Sequence, residues 1–219
     1  MTPQDKGLAL MKQAKAVGAQ VAMHAIGDRG NRMTLDWFEQ SLGGDTAARW
    51  RIEHAQIVAD TDVPRFAKLG VIASMQPSHA IGDLYFAPAR LGKARLHEGY
   101  RWNDFLKAGV VVAAGSDAPV EVGDPRIEFY AAVYRHSLTG FANEDWHLEE
   151  AVTRAAALKM LTLAPAYAVF REKELGTLEA GKKADVTAFD KDLMTIEPKA
   201  ILTAQPVLTV VDGKVVFSR

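Results

Sequence analysis

The stretch Trp50–Pro77, WRIEHAQIVADTDVPRFAKLGVIASMQP, decides how the chain folds. It opens on an apolar, β-competent run, Trp50–Val58, passes through VPRFAKLG, a helix ended by Gly70, and returns to a second β run, Val71–Pro77. A strand, a helix and a strand in so short a span imply a crossover, because parallel neighbours need a connection of a dozen or more residues. The same alternation continues on both sides. Upstream lie an amphipathic helix, with Thr2 as N-cap, Pro3 at its first position and a stripe of Leu10, Met11, Ala14 and Val17, then a strand over Ala19–His24, a Gly-Asp-Arg-Gly turn and a helix over roughly Asn31–Leu42. Downstream, GVVVAAGSDAP, Gly109–Pro119, supplies a fourth strand. The last three strands are nearly continuously apolar, as expected when both faces are covered, and the alternation as a whole reads as α/β with a parallel sheet.

Between the third and fourth strands, Ser78–Arg101 is a Gly- and Pro-punctuated excursion too long for an ordinary connection, and it reads as an active-site loop. From Leu148 to about Phe170 the pattern is helical, with Glu149 and Glu150 in its first turn and Pro165 dividing it. The chemistry then changes. Gly176–Asp190 and Pro206–Arg219 are turn-rich and β-branched, and Asp212-Gly213 between apolar runs signals a hairpin. This divides the chain into an α/β part, residues 1–172, and a small β segment, residues 173–219.

The 219 residues carry 26 basic and 27 acidic side chains, well mixed, for a net charge of −1, and no cysteine. That pattern offers no basic stripe for nucleic acid, so a small molecule is the expected partner. Disulfides, thiolate metal sites and cysteine nucleophiles are excluded, and any metal needs histidine and carboxylate ligands. No run approaches the ~18 apolar residues of a membrane span, and a cytoplasmic location is the default expectation.

Three polar side chains stand where strands give way to loops: His24, His54 and Asp117. His24 and His54 are 30 residues apart, close to the period of about 30 per βα unit in an eight-fold barrel. Alternation places His24 on a face with Ala22, His54 with Ile52, and Asp117 with Gly115 and Ala113. Ligands collect at the carboxyl ends of parallel strands. Two imidazoles and a carboxylate there suit a divalent metal, zinc before iron, manganese or nickel. Glu53 falls on the face opposite His54 and reads as an ion-pair partner of Arg51. His79, just past a strand end in MQPSH, is either a substrate contact or part of the loop, whereas His97, His136 and His147 have no partner at useful spacing and read as structural. There is no Walker loop, G-x-G-x-x-G, G-x-S-x-G or H-E-x-x-H.

HAIGDRG, RIEHAQ, MQPSH and GSDAPV, in this order and spacing, resemble the amidohydrolase superfamily, in the branch that contains N-substituted formamide deformylase. LGTLEAGKKADVTAFD resembles that superfamily's return to its small β-sandwich, and VLTVVDGKVVF its closing hairpin. The resemblance implies a (β/α)₈ TIM barrel, with His24 and His54 as metal ligands from the fifth and sixth strands and Asp117 as the eighth-strand aspartate that touches metal and handles the proton. It implies hydrolysis of a C–N bond in an amide, N-formyl or N-acyl substrate, with His79 near the substrate. It also implies what is missing: the sequence contains no H-x-H, which the family carries on its first strand. The chain therefore resembles the C-terminal half of such an enzyme, strands five to eight with an incomplete sandwich. A half-barrel exposes apolar faces, so a homo-oligomer or a complementary N-terminal half is expected, and a non-catalytic assembly or binding module with a vestigial metal site is the alternative.

Overall fold

The structure is a computed structural model that describes residues 3–219. In chain order the first elements are α1 (Gln4–Ala16), β1 (Ala22–Ala25), α2 (Asp28–Leu42), β2 (Arg51–His54), α3 (Val63–Leu69) and β3 (Ile72–Met75). Then follow α4 (Pro77–Asp83), α5 (Ala87–Leu91), α6 (Lys93–Leu96), α7 (Trp102–Lys107), β4 (Val112–Ala114) and α8 (Pro125–Tyr134). The chain closes with α9 (Arg154–Leu161), α10 (Leu163–Ala168), β5 (Val186–Phe189), α11 (Pro198–Ile201), β6 (Pro206–Val211) and β7 (Lys214–Ser218). Two compact units result, one comprising the chain up to Met75 together with Pro88–Ala113, the other Gln76–Ala87 with Ala114–Arg219.

The first unit is built on a sheet of order β1-β2-β3-β4, in which β1–β2 and β2–β3 are parallel. Its core lies on the helix side, where Leu35 and Phe38 of α2 and Phe66 of α3 are fully buried with Ile52 and Ala73 from the strands. Phe38 meets Trp50 edge-on at 5.1 Å, and Phe66 meets Phe105 of α7 at 4.8 Å. Gly70 ends α3 as the sequence indicates, at φ +65, and a Cβ there would run into Thr46. The N-terminal helix differs from its expected form. Pro3 stands at the N-cap position rather than inside the helix, Thr2 lies outside the described residues, and Leu10 and Val17 of the expected stripe are exposed, leaving Gly7 and Met11 as the buried contacts. Gly7 is needed there, because an added Cβ would come within 2.7 Å of the Trp37 ring.

In the second unit α8 packs on α4, α9 and α11, and Phe129, Tyr130 and Ala131 of α8 are buried, as are Trp146, Ala157, Met160 and Ile201. The Leu148–Phe170 stretch is broken differently from the sequence expectation. Glu149 and Glu150 sit in a separate 3₁₀ turn, and α9 starts only after Thr153, whose hydroxyl accepts the Ala156 N–H at 3.2 Å. The break before α10 falls at Thr162, and Pro165 sits in the first turn of α10, where its missing N–H costs no hydrogen bond. The excursion expected as a loop is largely a run of short helices, α4 to α6. The C-terminal β segment is a three-stranded antiparallel sheet of order β5-β6-β7. Asp212 and Gly213 join β6 to β7 at φ +49 and +77, the two positive values that a two-residue type I′ hairpin requires. Among the described residues no helix is long and apolar enough to cross a membrane.

Candidate metal centre

His24 and His54 meet. Their rings lie with centroids 4.5 Å apart and planes at 72°. How they do so departs from simple alternation. The parallel register pairs His24 with Glu53 and Ala25 with His54, and register partners share a face. Ala25 and Ile52 are buried on the helix side, so a regular strand would turn His54 toward them and away from His24. Instead the backbone enters the left-handed region at His54 (φ +78) and Ala55 (φ +45), ending β2 and bringing the imidazole to the His24 ring. Placing His54 on the face of Ile52 is thus corrected. Such conformations cost of order 1–3 kcal/mol each in non-glycine residues and persist where the surroundings enforce them, often at functional sites.

A buried side chain with no signal in the sequence braces the loops that follow the two histidines. Asn31, fully buried in the first turns of α2, directs Nδ2 at the carbonyls of Ala25, Ile26, Gly27 and Ile57, at 3.3, 3.2, 3.0 and 3.1 Å. It ties the loop after His24 to the loop after His54, beside backbone bonds from Ala55 N–H to Ala25 O (3.0 Å) and from Ile57 N–H to Ile26 O (2.9 Å). The Gly-Asp-Arg-Gly segment is correspondingly not a turn. Gly27 takes the N-cap position and α2 starts at Asp28, three residues earlier than its apolar pattern suggests, which carries Asn31 under the strand ends. Glu53 pairs with Arg51 at 2.5 Å, as expected, on the same face as His24.

Asp117 lies in the second unit, exposed, three residues beyond the end of β4, and it too has a positive φ, +59. It stands outside the strand, so alternation with Gly115 and Ala113 does not govern it. His79 is on α4, with Nε2 3.9 Å from Glu121 Oε1. The remaining histidines have local neighbours: His97 with Asp60 at 3.4 Å, His136 stacked on Tyr134 at 3.9 Å, and His147 with Glu149 at 2.5 Å. Among the described residues no group of three or more histidine, aspartate and glutamate side chains is gathered to hold a metal ion. The donor set nonetheless fits one in part, since two adjacent imidazoles present the borderline nitrogen ligands that zinc prefers.

A second polar feature emerges only from the fold. Glu128 of α8 is 2% exposed, and its Oε2 accepts the Ser78 N–H at 2.9 Å. Burial pushes its carboxyl up to about 6 despite the Ser78 hydrogen bonding, with the charges of Glu121 and Asp124 adding to the rise. The folded chain therefore holds this proton to higher pH than the unfolded chain, and a stability contribution present below pH 4.5 is lost as pH rises through 6. Glu128→Gln is expected to raise stability at pH 8 by about 2 kcal/mol, with the gain vanishing by pH 4, as read from denaturation midpoints at the two pH values. A loss of stability at pH 8 would contradict it.

A parallel sheet with helical connections between its strands makes the first unit a member of the α/β class. The chain belongs to the amidohydrolase family, whose description matches residues 2–217. It is 33% identical over 228 residues to the protein LONG AFTER FAR-RED 3 of Arabidopsis thaliana, covering 99% of this chain and 39% of that one. It is 31% identical over 214 residues to the N-substituted formamide deformylase of Arthrobacter pascens, covering 96% and 39%. Among solved structures, an uncharacterized metal-dependent hydrolase from Pyrococcus horikoshii superposes with a TM-score of 0.79 at 30% identity, over 90% of this chain and 39% of that one. The chain thus spans about two-fifths of the length of these relatives, and its fold is a partial α/β amidohydrolase fold.

Proposed function

We propose that the chain is the part of a metal-dependent hydrolase of C–N bonds that supplies two metal ligands, His24 and His54, and the proton-handling Asp117, for an amide, N-formyl or N-acyl substrate. The observation that carries this reading is the edge-on contact of the His24 and His54 rings, with a left-handed backbone at His54 and Asn31 tying the loops that follow the two histidines. A divalent metal, zinc by the donor set, would supply Lewis acidity there. His24 and His54 would present ring nitrogens to it from adjacent strand ends. Asp117 accepts a proton from the attacking water and returns it to the leaving nitrogen, giving an amine and a carboxylic acid. His79 contacts substrate. Completion of the site, and cover for the exposed strands, comes from a second copy or from a complementary N-terminal half that carries an H-x-H pair.

The test is amine release from N-formyl and N-acyl amines, by the chain alone and by the chain mixed with a polypeptide corresponding to the remaining three-fifths of a relative. Turnover is expected only in the mixture, falling about 10²–10⁴-fold for Asp117→Asn. Efficient metal-dependent turnover by the chain alone would overturn the partial-site reading, and an unimpaired Asp117→Asn mixture would overturn the role of Asp117. A second reading, a binding module with a vestigial metal site, draws on the lack of a third gathered ligand among the described residues. It predicts no turnover in either arm.

A further inference from the structure

Beside Asp117 the second unit contains a cavity of about 250 Å³. One wall is the loop that Asp117 begins: Val120 N–H donates to Asp117 O at 2.9 Å, and Gly123 packs on Ala118 so closely that an added Cβ would come within 3.1 Å of it. Ser78, Ile81 and Gly82 of α4 and Ile127 and Glu128 of α8 line the rest of the cavity. Its charges have one sign. Glu121 and Glu128 line the cavity and no lysine or arginine does, while Asp124 is already paired with Arg126 at 2.6 Å. His79 Nε2 lies 3.9 Å from Glu121 Oε1 and is an ion-pair partner of that carboxylate only when protonated.

A hydrogen-bonding group is also left over. Ser78 is 3% exposed and lines the cavity; its backbone amide donates to Glu128, its hydroxyl lies against the same carboxylate, and the hydroxyl oxygen accepts no hydrogen bond among the described residues. Around these polar atoms the wall is apolar and open to solvent, with Tyr85 59% and Leu138 49% exposed, the Tyr85 ring stacked on Phe141 at 5.2 Å. A buried carboxylate, a hydroxyl oxygen free to accept and an aromatic wall together ask for an occupant that donates hydrogen bonds, carries positive charge and has a hydrocarbon part.

We propose that this cavity binds an organic monocation, an ammonium head bearing an apolar substituent, with Glu128 and Glu121 supplying the negative charge, Ser78 Oγ accepting an N–H, and Tyr85 and Leu138 covering the hydrocarbon. A bare metal ion fits less well. The cavity is several times the ~30 Å³ of one water molecule, and it offers two carboxylates rather than a closed set of oxygen ligands. An anion is opposed by both carboxylates. That the ammonium belongs to the amine portion of a hydrolysed substrate rests on the C–N hydrolase reading, whereas binding of the cation does not.

The experiment is calorimetric titration of the full chain at pH 8, where a carboxyl titrating near 6 is ionised, with n-hexylammonium chloride and with 1-hexanol, its neutral counterpart. The ammonium is expected to bind at least about tenfold tighter than the alcohol, and Glu128→Gln, which keeps the side-chain shape, is expected to remove that preference while leaving the alcohol unchanged. Glu121→Gln is expected to weaken ammonium binding less, its carboxylate being more exposed. Equal affinity for the two probes, absence of ammonium binding, or an unchanged preference in Glu128→Gln overturns the proposal. Ammonium binding in a chain that proves catalytically silent with its complement upholds the cavity and removes only its assignment to a hydrolytic substrate.

Discussion

Phe66→Ala is expected to destabilise the chain by about 3–5 kcal/mol, a large fraction of the ~5–15 kcal/mol that holds a typical domain. The ring is fully buried at the centre of α3, the crossover between β2 and β3, and packs edge-to-face on Phe105 of α7 at 4.8 Å. Truncation removes the transfer energy of the ring and leaves a cavity beside an equally buried Phe105. The aromatic pair adds about 0.5–1.5 kcal/mol beyond the area it buries. Urea denaturation followed by circular dichroism measures the effect. A loss below 1 kcal/mol would mean that this interface does not organise the first unit.

The second large effect is association. β7 is an edge strand, and all five of its residues are exposed, including Val215 and Val216 at 62% and Phe217 at 43%. Long, apolar, unpaired edges template pairing with another chain unless charge, proline or a covering element blunts them, and β7 has only Lys214 at its start. The expected occupant in the purified chain is a second copy, so light scattering at micromolar concentration is expected to give about twice the 23.9 kDa of one chain. Val216→Lys, which places a charge in the middle of the edge, is expected to shift the population toward monomer. A wild-type chain that stays monomeric and folded would contradict the expectation.

Much of the fold was legible because it rests on local signals. The Trp50–Pro77 stretch carries its strand, helix and strand as a change of hydrophobic period, Gly70 marks a left-handed helix end, and Asp212-Gly213 specifies a hairpin through the sign of two φ angles. The adjacency of His24 and His54 was also readable, from spacing alone. The means of that adjacency was not, since nothing in the residue type of a histidine announces a positive φ, and without it His54 faces the helices. Asn31 escaped notice because its four acceptors belong to two loops, one of them 26 residues away. Glu128 escaped for the same reason: its burial depends on α4, which the sequence presented as part of a loop. The start of α9 at Arg154 was hidden by Glu149 and Glu150, whose acidic pair imitates a helix N-terminus but occupies a 3₁₀ turn.

The central claim, that paired imidazoles at adjacent strand ends are ligands, is tested most directly by equilibrium zinc binding to the purified chain and to its His24→Ala, His54→Ala variant, with metal per chain read by elemental analysis after dialysis. Zinc is expected to be retained by the wild-type chain and to bind at least about 100-fold more weakly to the double variant, with the circular dichroism spectrum unchanged. Equal zinc content in the two proteins, or none in the wild type at saturating metal, would contradict it.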